Sequence, residues 1–408
     1  IPYYVAGLVD EVDHLVARSP SQHRANGIDV RTRTEVVGVD LGRRELTVLD
    51  HSAQRESVEP FDRLVIATGA DATPPPIPGA EAVEAARTLD AGERLRDALG
   101  REGADAVVVG GGYIGIEMAE ALVHQRLRVT LVDRAPQLMA EALDPDMAAY
   151  VQDAAEGKGI KVQLSADVEE VLLDADGRPR GVRTSEGELP AAHVVIATGV
   201  RPEAQLARDA GLQVGEATGA IVVDDHQRCP GHDGVYAAGD CVESFHRLLG
   251  RPVNVQLGTH ANKQGRVAGE NAAGGDLAFP GVIGTAITRV CHREIARTGL
   301  TEREAAEEGI DALATLVQTD TRAAYFPGAA PMWVKLVTAR ADGRLLGAQV
   351  VGAETAGKRI DALATAVWNG MTVEDLQWVD LSYAPPVSGV LDPVLVAARA
   401  AASARARG

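Results

Sequence analysis

Aromatic side chains are scarce: four Phe, three Trp and seven Tyr make up 3% of the 408 residues. The core must therefore be built mainly from Ala, Val, Leu and Ile, within a hydrophobic content of 46% that is ordinary for a soluble globular protein. Cysteine is rarer still. Cys229, Cys241 and Cys291 form no C-x-x-C or other close pair, which argues against a disulfide framework and fits a reducing, cytoplasmic setting. Basic charge is in deficit, with 40 Lys and Arg against 58 Asp and Glu, a net −18. That balance argues against nucleic acid or an anionic membrane as the main partner and leaves a soluble acidic surface. No uninterrupted apolar run approaches membrane-spanning length, and no basic segment leads into an apolar stretch as in a secretion signal. His226, Cys229 and His232 stand three residues apart in a Pro/Gly-containing loop segment without a fourth ligand at a familiar spacing, so no metal site is expected. The first residue is Ile1, not methionine, and the chain reads as having lost its natural beginning.

What is present is organised around Val107-Val108-Val109-Gly110-Gly111-Gly112-Tyr113-Ile114-Gly115-Ile116-Glu117. A β-branched run enters a glycine turn and leaves as a helix over 118–123. Gly110, Gly112 and Gly115 fit G-x-G-x-x-G: one glycine for the turn, one for close approach to a pyrophosphate, one for helix–strand contact. The helix points its amides and positive dipole end at that phosphate. A second strand, Arg128-Val129-Thr130-Leu131-Val132, ends in Asp133, where a carboxylate can hold both hydroxyls of an adenosine ribose. The two strands, helix and terminal acid predict dinucleotide binding.

At this length two or three domains are expected. Before the glycine turn, strands are predicted at 28–31, 35–40 and 45–49, the last two joined by a turn at Gly42. A short buried strand at 61–69, a Pro-rich linker at 74–79 and a helix at 90–99 follow. After Asp133 come a helix at 145–156 and meander strands at 160–164, 168–173 and 180–184. Val195-Ile196-Ala197-Thr198-Gly199 then repeats Val65-Ile66-Ala67-Thr68-Gly69 letter for letter, each copy closing a similar series of elements. The spacing far exceeds a solenoid unit, so the repeat reads as a duplicated nucleotide-binding domain. Gly234-Val235-Tyr236-Ala237-Ala238-Gly239-Asp240 is a further strand ending in glycine and a carboxylate. A helix within 254–273 has Thr259 as its candidate N-cap. Beyond about residue 282 the pattern is α+β: strands at 312–318, 332–339 and 345–351, a helix at 356–368 and a short helix begun at Thr372. Residues 397–408 read as a fraying Ala/Arg-rich helical tail rather than a binding patch.

Taken together, these motifs, with Leu257-Gly258-Thr259-His260-Ala261-Asn262-Lys263-Gln264-Gly265 and Tyr383-Ala384-Pro385-Pro386, resemble the class I pyridine nucleotide–disulfide oxidoreductases. The resemblance favours the single-cysteine branch of coenzyme A-disulfide reductases, NADH oxidases and NADH peroxidases. It implies an α/β fold of two Rossmann-like domains plus a C-terminal α+β dimerisation domain. Residues 1–103 and 225–281 would form a split FAD domain, 104–224 the NAD(P)H domain and 282–408 the dimerisation domain of a homodimer. Ala67, Thr68 and Gly69 match a turn beside FAD, and Asp240 an acid on the ribityl chain. Gly199 closes the second copy of that turn. The helix at Thr259, His260 and Ala261 would aim its start at the flavin pyrimidine ring. Tyr113 matches a tyrosine covering the flavin, Glu117 an acid beside the nicotinamide, and Tyr383 a tyrosine reaching the partner's site. Plainer readings stay open: a turn cap for Asp240, helix-face residues for Tyr113 and Glu117, a surface histidine for His260, interface packing for Tyr383.

Two departures matter. The family's FAD domain opens with its own glycine turn, and only one such turn is present. The branch carries its redox cysteine just before Ile/Leu-Pro-Tyr-Tyr, and here the chain starts at Ile1-Pro2-Tyr3-Tyr4. The expected cysteine therefore lies upstream of Ile1, and the sequence reads as an N-terminally truncated record of an enzyme, the literal polypeptide binding FAD poorly. For the intact enzyme the expected cofactors are FAD and NADH. Asp133 opposes a 2′-phosphate, while Arg134 beside it partly offsets this and keeps NADPH open. The expected acceptor is a disulfide such as coenzyme A disulfide, with oxygen or peroxide as the alternative. A redox-silent nucleotide-binding protein is the third reading.

Overall fold

The computed structural model describes residues 1–83, 85, 87–100 and 102–407. Its contacts divide the chain into two compact units. Ile1–Val12, Pro74–Gly199 and Ile283–Gly408 form one, and Asp13–Thr73 with Val200–Val282 the other. This grouping differs from the functional division expected from sequence, since residues 1–12 and 74–100 fall with the glycine turn and 200–224 with the second unit.

The first unit holds a four-stranded parallel sheet in the order His193–Ile196, Asp105–Val109, Arg128–Val132, Lys161–Gln163. Ala106, Val107, Val108 and Val109 are all buried, as a strand covered on both faces requires. The helix Tyr113–His124 buries Ile116, Met118, Ala119, Ala121 and Leu122, and the helix Pro145–Gly157 buries Met147, Ala148, Val151 and Ala155. The meander is three antiparallel strands, Val168–Leu173, Pro179–Thr184 and Gly187–Pro190, the last absent from the sequence reading. The C-terminal α+β part is a five-stranded antiparallel sheet ordered Ala286–Val290, Arg293–Gly299, Leu345–Gly352, Pro331–Ala339, Ala312–Asp320. Its first two strands were also missed. The core is as poor in aromatics as composition requires. Tyr4, Tyr236, Phe279 and Trp333 are its buried aromatics, and Trp333 stacks on Tyr150 with ring centroids 3.9 Å apart.

The Ala/Arg-rich tail is corrected to a docked helix, Pro393–Arg405, with Gly408 outside the described residues. Val394, Ala397, Ala398 and Ala401 recur at i, i+3, i+4 and i+7, and this small apolar stripe packs on the strands Ala312–Asp320 and Pro331–Ala339. Asp392 caps it by accepting from the Val394 amide at 2.9 Å. The short helix begun at Thr372 is capped as read, the Asp375 amide donating to its hydroxyl at 3.1 Å.

In the second unit, Thr34–Asp40, Glu45–Asp50 and Arg55–Pro60 form an antiparallel sheet. The left-handed residue in its first turn is Arg44, φ +56°, and not Gly42. Residues 28–31 are not a strand, because the Val30 carbonyl accepts from the Arg24 guanidinium at 2.7 Å and Arg31 is held by Asp29 and Glu59. Leu64–Ile66 pairs in parallel with Val235–Ala237, and only Ile66 of the former is buried. The helix Gly258–Ala272 packs on both strands.

One buried charge cluster joins the nucleotide-binding part of the first unit to its C-terminal sheet. Lys335, 3% exposed, places Nζ 3.2 Å from Asp144, 2.8 Å from Asp146 and 2.9 Å from Glu302. Asp144 is equally buried and exchanges two hydrogen bonds with Gln349, while the Glu302 amide donates to it at 3.1 Å. Burial alone would lower the Lys335 pKa, and the carboxylates reverse this and raise it. Removing the cation strands Asp144 in a dry site. Lys335→Met is expected to destabilise the protein by about 3 kcal/mol, read as a lower urea midpoint. Asp146→Asn, at a half-exposed carboxylate, should cost less than about 1 kcal/mol.

Candidate active site

Three backbones meet at the glycine turn. Gly110 has φ +109°, and a β-carbon there would lie 2.4 Å from the Ala197 carbonyl oxygen. At Gly115 a β-carbon would lie 1.8 Å from the Gly110 carbonyl oxygen. The fold itself therefore demands these two glycines. Gly112 differs. It is the N-cap residue of the helix Tyr113–His124, with an ordinary φ of −78°, and nothing in the protein lies within 4 Å of where its β-carbon would be. The helix start has no side-chain cap, so its first amides face this open space with the positive dipole end behind them. Asp133, at the end of its strand, accepts from the Gly111 amide and, at 2.7 Å, from the Ala135 amide. Those bonds fix its carboxylate beside the turn. Arg134 is exposed next to it.

The repeated pentapeptide is repeated in structure as well. Leu64–Ile66 and His193–Ile196 each end a parallel strand pairing and run into a left-handed glycine, Gly69 at φ +76° and Gly199 at φ +108°. Neither glycine has a protein atom within 4 Å of its β-carbon position. Open space at the carboxyl ends of parallel strands is where α/β sheets take ligands.

Along the helix, Ile114 is exposed and Tyr113 turns inward. The Tyr113 hydroxyl is buried without a hydrogen-bond partner, and burial pushes its pKa up to about 12, with Glu117 adding and Arg297 opposing. It stays a phenol at any working pH. Glu117 is half-buried, and its carboxylate accepts from the buried Thr288 hydroxyl. Burial raises its pKa, Glu120 adds, and the Thr288 bond opposes.

In the second unit, Ala67, Thr68 and Gly69 follow one parallel strand and Ala238, Gly239 and Asp240 the adjacent one, tied where the Ala238 amide donates to the Ile66 carbonyl at 3.0 Å. Thr68 donates its hydroxyl to the Glu203 carbonyl. The Gly239 amide donates to Gln264 at 3.0 Å, and its α-carbon faces Ala261. Asp240, Ala261 and the start of the helix Gly258–Ala272 are thereby brought together. Thr259 is not the N-cap. Leu257 holds that position without a side-chain cap, and Gly258 and Thr259 lie exposed in the first turn. The reading of His260 as a surface residue is likewise corrected: it is 7% exposed, its Nδ1 lacks a partner, and its pKa is lowered by burial and by Lys263 against a bond to Val255.

Like Tyr325 at 78%, Tyr383 is exposed, at 45%. Its loop is held by Arg359, which donates to Asp392 at 3.1 Å and to the carbonyls of Thr355, Thr321 and Val387 at 2.6–2.9 Å. Cys229, Cys241 and Cys291 are all buried, and burial pushes the Cys229 and Cys291 thiols up to about 12. Cys229 sits in an apolar cluster, while His226 pairs with Asp225 and Asp276. Sequence reasoning missed Thr288, Arg297 and Arg359. Thr288 lies 171 residues from Glu117 in an unrecognised strand, and no local pattern marks it.

The two outer glycines and the middle one should fail differently. Gly115→Ala is expected to unfold or misfold the domain, lowering Tm and soluble yield. Gly112→Ala should fold normally yet lose NADH binding at least about tenfold, or about 1.4 kcal/mol, because its methyl occupies only ligand space.

The family described as pyridine nucleotide-disulphide oxidoreductase matches residues 1–265, and its dimerisation domain matches residues 285–394. The chain is 38% identical over 408 residues to an NAD(P)H sulfur oxidoreductase (CoA-dependent) of Pyrococcus abyssi, covering 98% of this chain and 88% of that protein. It is 35% identical over 402 residues to an NADH oxidase of Methanocaldococcus jannaschii, covering 98% and 88%. The solved NAD-dependent persulfide reductase of A. fulgidus superposes with a TM-score of 0.94 at 38% identity, over 100% of this chain and 76% of that one. Among the described residues no helix is long and apolar enough to cross a membrane. With its fold and both segments matched, the chain belongs to the pyridine nucleotide–disulphide oxidoreductases, in the branch of sulfur and coenzyme A-dependent reductases and NADH oxidases.

Proposed function

We propose that the protein is an FAD-dependent NAD(P)H oxidoreductase, a homodimer of a reducing cytoplasm, passing hydride equivalents from NADH through flavin to a disulfide such as coenzyme A disulfide. The observation that carries this reading is Gly112, a glycine no protein atom requires, set between an uncapped helix start and the fixed carboxylate of Asp133. In this reading residues 104–224 take NADH, residues 1–103 and 225–281 take FAD, and residues 282–408 make the dimer.

Bound FAD supplies the two-electron carrier between nucleotide and acceptor. The chain's own residues bind and orient. Gly110, Gly112, Gly115 and the first turn at Tyr113 and Ile114 cradle the NADH pyrophosphate, with Gly199 beside it. Asp133 takes the ribose hydroxyls, and Glu117 stands by the nicotinamide. Ala67, Thr68, Gly69 and Asp240 hold FAD, and the helix start at Thr259, His260 and Ala261 offers positive potential to the flavin. His260, buried and held neutral near neutral pH, keeps a free ring nitrogen there, and Tyr383 is offered to the partner's site. Cys229, Cys241 and Cys291 are buried, and none of them takes the place of the redox cysteine expected from the resemblance. Oxygen or peroxide is the second reading for the acceptor.

The test is NADH consumption by the FAD-loaded protein with coenzyme A disulfide, oxygen or peroxide offered separately. Disulfide-dependent turnover supports the first reading and oxygen- or peroxide-dependent turnover the second. No consumption with any acceptor, with or without an added upstream cysteine segment, would overturn both. Asp133→Ala is expected to shrink the NADH over NADPH preference in kcat/KM about tenfold, and a wild-type preference for NADPH would sink the role given to Asp133.

A further inference from the structure

A cavity of about 410 Å³ in the first unit takes no part in the assignments above. Tyr3, Glu117, Glu120, His124, Arg289 and His292 line it, over a floor that includes Pro2, Ala6, Leu8 and Ala121. Glu117, Glu120 and His124 recur at i, i+3 and i+7, so one face of the fingerprint helix forms its wall. The cavity therefore opens on the same acid that the proposed function puts beside the nicotinamide.

The surroundings of that acid are specific. Its hydrogen bond comes from a neutral hydroxyl, that of Thr288, which is 7% exposed. The Tyr3 phenol, 46% exposed, lines the same cavity. The other groups acting on this site are few. Glu120 and Tyr113 lie on the helix itself, Tyr3 comes from the first residues, and Arg289 acts on Tyr3. Arg297 acts on Tyr113, His124 is drawn to Glu120 at 3.8 Å, and His292 is held 3.0 Å from Lys158. Burial penalises the charged form of a carboxyl in such a place and raises its pKa.

The two redox forms of a nicotinamide differ by one positive charge on the ring. A cation within about 4–6 Å of a carboxyl favours the ionised form, and the reduced ring brings no such charge. We propose that Glu117, tuned by Thr288 and opened to solvent by this cavity, releases a proton when oxidised nicotinamide binds and regains it when the reduced form replaces it. The inference rests on the NADH site proposed above. The step is acid–base only: the Glu117 O–H bond breaks, its electron pair stays on the carboxylate against the ring cation, the proton goes to solvent, and no electrons change hands. Oxidised nucleotide then binds more tightly as pH rises through the pKa of free Glu117 and levels off above it. Reduced nucleotide binds evenly across the same window.

Calorimetric titration of the chain with NAD⁺ and with NADH, in two buffers of different ionisation enthalpy and at several pH values, counts the protons released. Wild type should release protons with NAD⁺ at mildly acidic pH, fading toward alkaline pH, and none with NADH. Glu117→Gln should bind NAD⁺ with no release and with pH-independent affinity. Thr288→Val removes a bond that lowers the pKa, so its release should move to higher pH. His124→Gln should keep the release, which separates the carboxyl from the imidazole. Equal release with both nucleotides, release that survives in Glu117→Gln, or no displacement in Thr288→Val would each overturn the inference. Failure of both nucleotides to bind would instead overturn the NADH site on which it rests.

Discussion

The nucleotide end of the first unit depends on one steric constraint. The strand Asp105–Val109, the helix Tyr113–His124 and the turn after His193–Ile196 pass closer than a β-carbon permits, so Gly110 and Gly115 are fixed by the Ala197 and Gly110 carbonyl oxygens. That closeness aims the helix start outward. The helix start carries no side-chain cap, and the β-carbon position of Gly112 faces open space. Asp133 is then held in place by the Gly111 amide of the same turn. The phosphate-binding and ribose-binding features are consequences of one packing decision.

Burial of charge is handled in two ways in the same unit. Lys335 is surrounded by three carboxylates, and Asp144 is further satisfied by backbone amides and Gln349, so the cluster is a fixed structural joint. Glu117 is less buried, accepts one neutral hydrogen bond and opens on a cavity. Lys335 and Asp144 satisfy one another inside a dry joint, whereas Glu117 has one neutral partner and borders a cavity.

Elements with a local pattern were legible in the sequence. The all-apolar strand at 105–109, the glycine turn and the Thr372 cap follow from periodicity, φ requirements and hydrogen-bonding side chains within a few residues. Errors arose where distant contacts override local pattern. Residues 28–31 alternate like a strand, yet Arg24 takes the Val30 carbonyl. The tail reads as a helix, but its docking shows only where its alanine stripe meets the strands Ala312–Asp320 and Pro331–Ala339. Thr259 has the right chemistry for a cap, but the helix begins one residue earlier and leaves it inside the first turn. The partners of site residues were least legible, since Thr288 and Arg359 act on groups across long stretches of chain and belong to no motif.

The distribution of aromatics carries the last step. A chain so short of aromatic rings would be expected to bury those it has, yet Tyr325, Trp378 and Tyr383 are 78%, 81% and 45% exposed. Val387, Val390 and Leu391 add exposed apolar surface on the loop that follows Tyr383. Arg359 nevertheless ties that loop down, donating to the Val387 carbonyl and the Asp392 carboxylate while anchored itself on the Thr355 and Thr321 carbonyls. Ordering an exposed apolar loop costs conformational entropy with no return from the monomer's own core. Such a surface makes physical sense when a second subunit covers it, which agrees with the dimerisation family matched by residues 285–394. On that view Arg359 acts through Tyr383: it holds in advance the geometry that dimer formation would otherwise have to impose, and so lowers the entropic cost of completing a site shared between subunits.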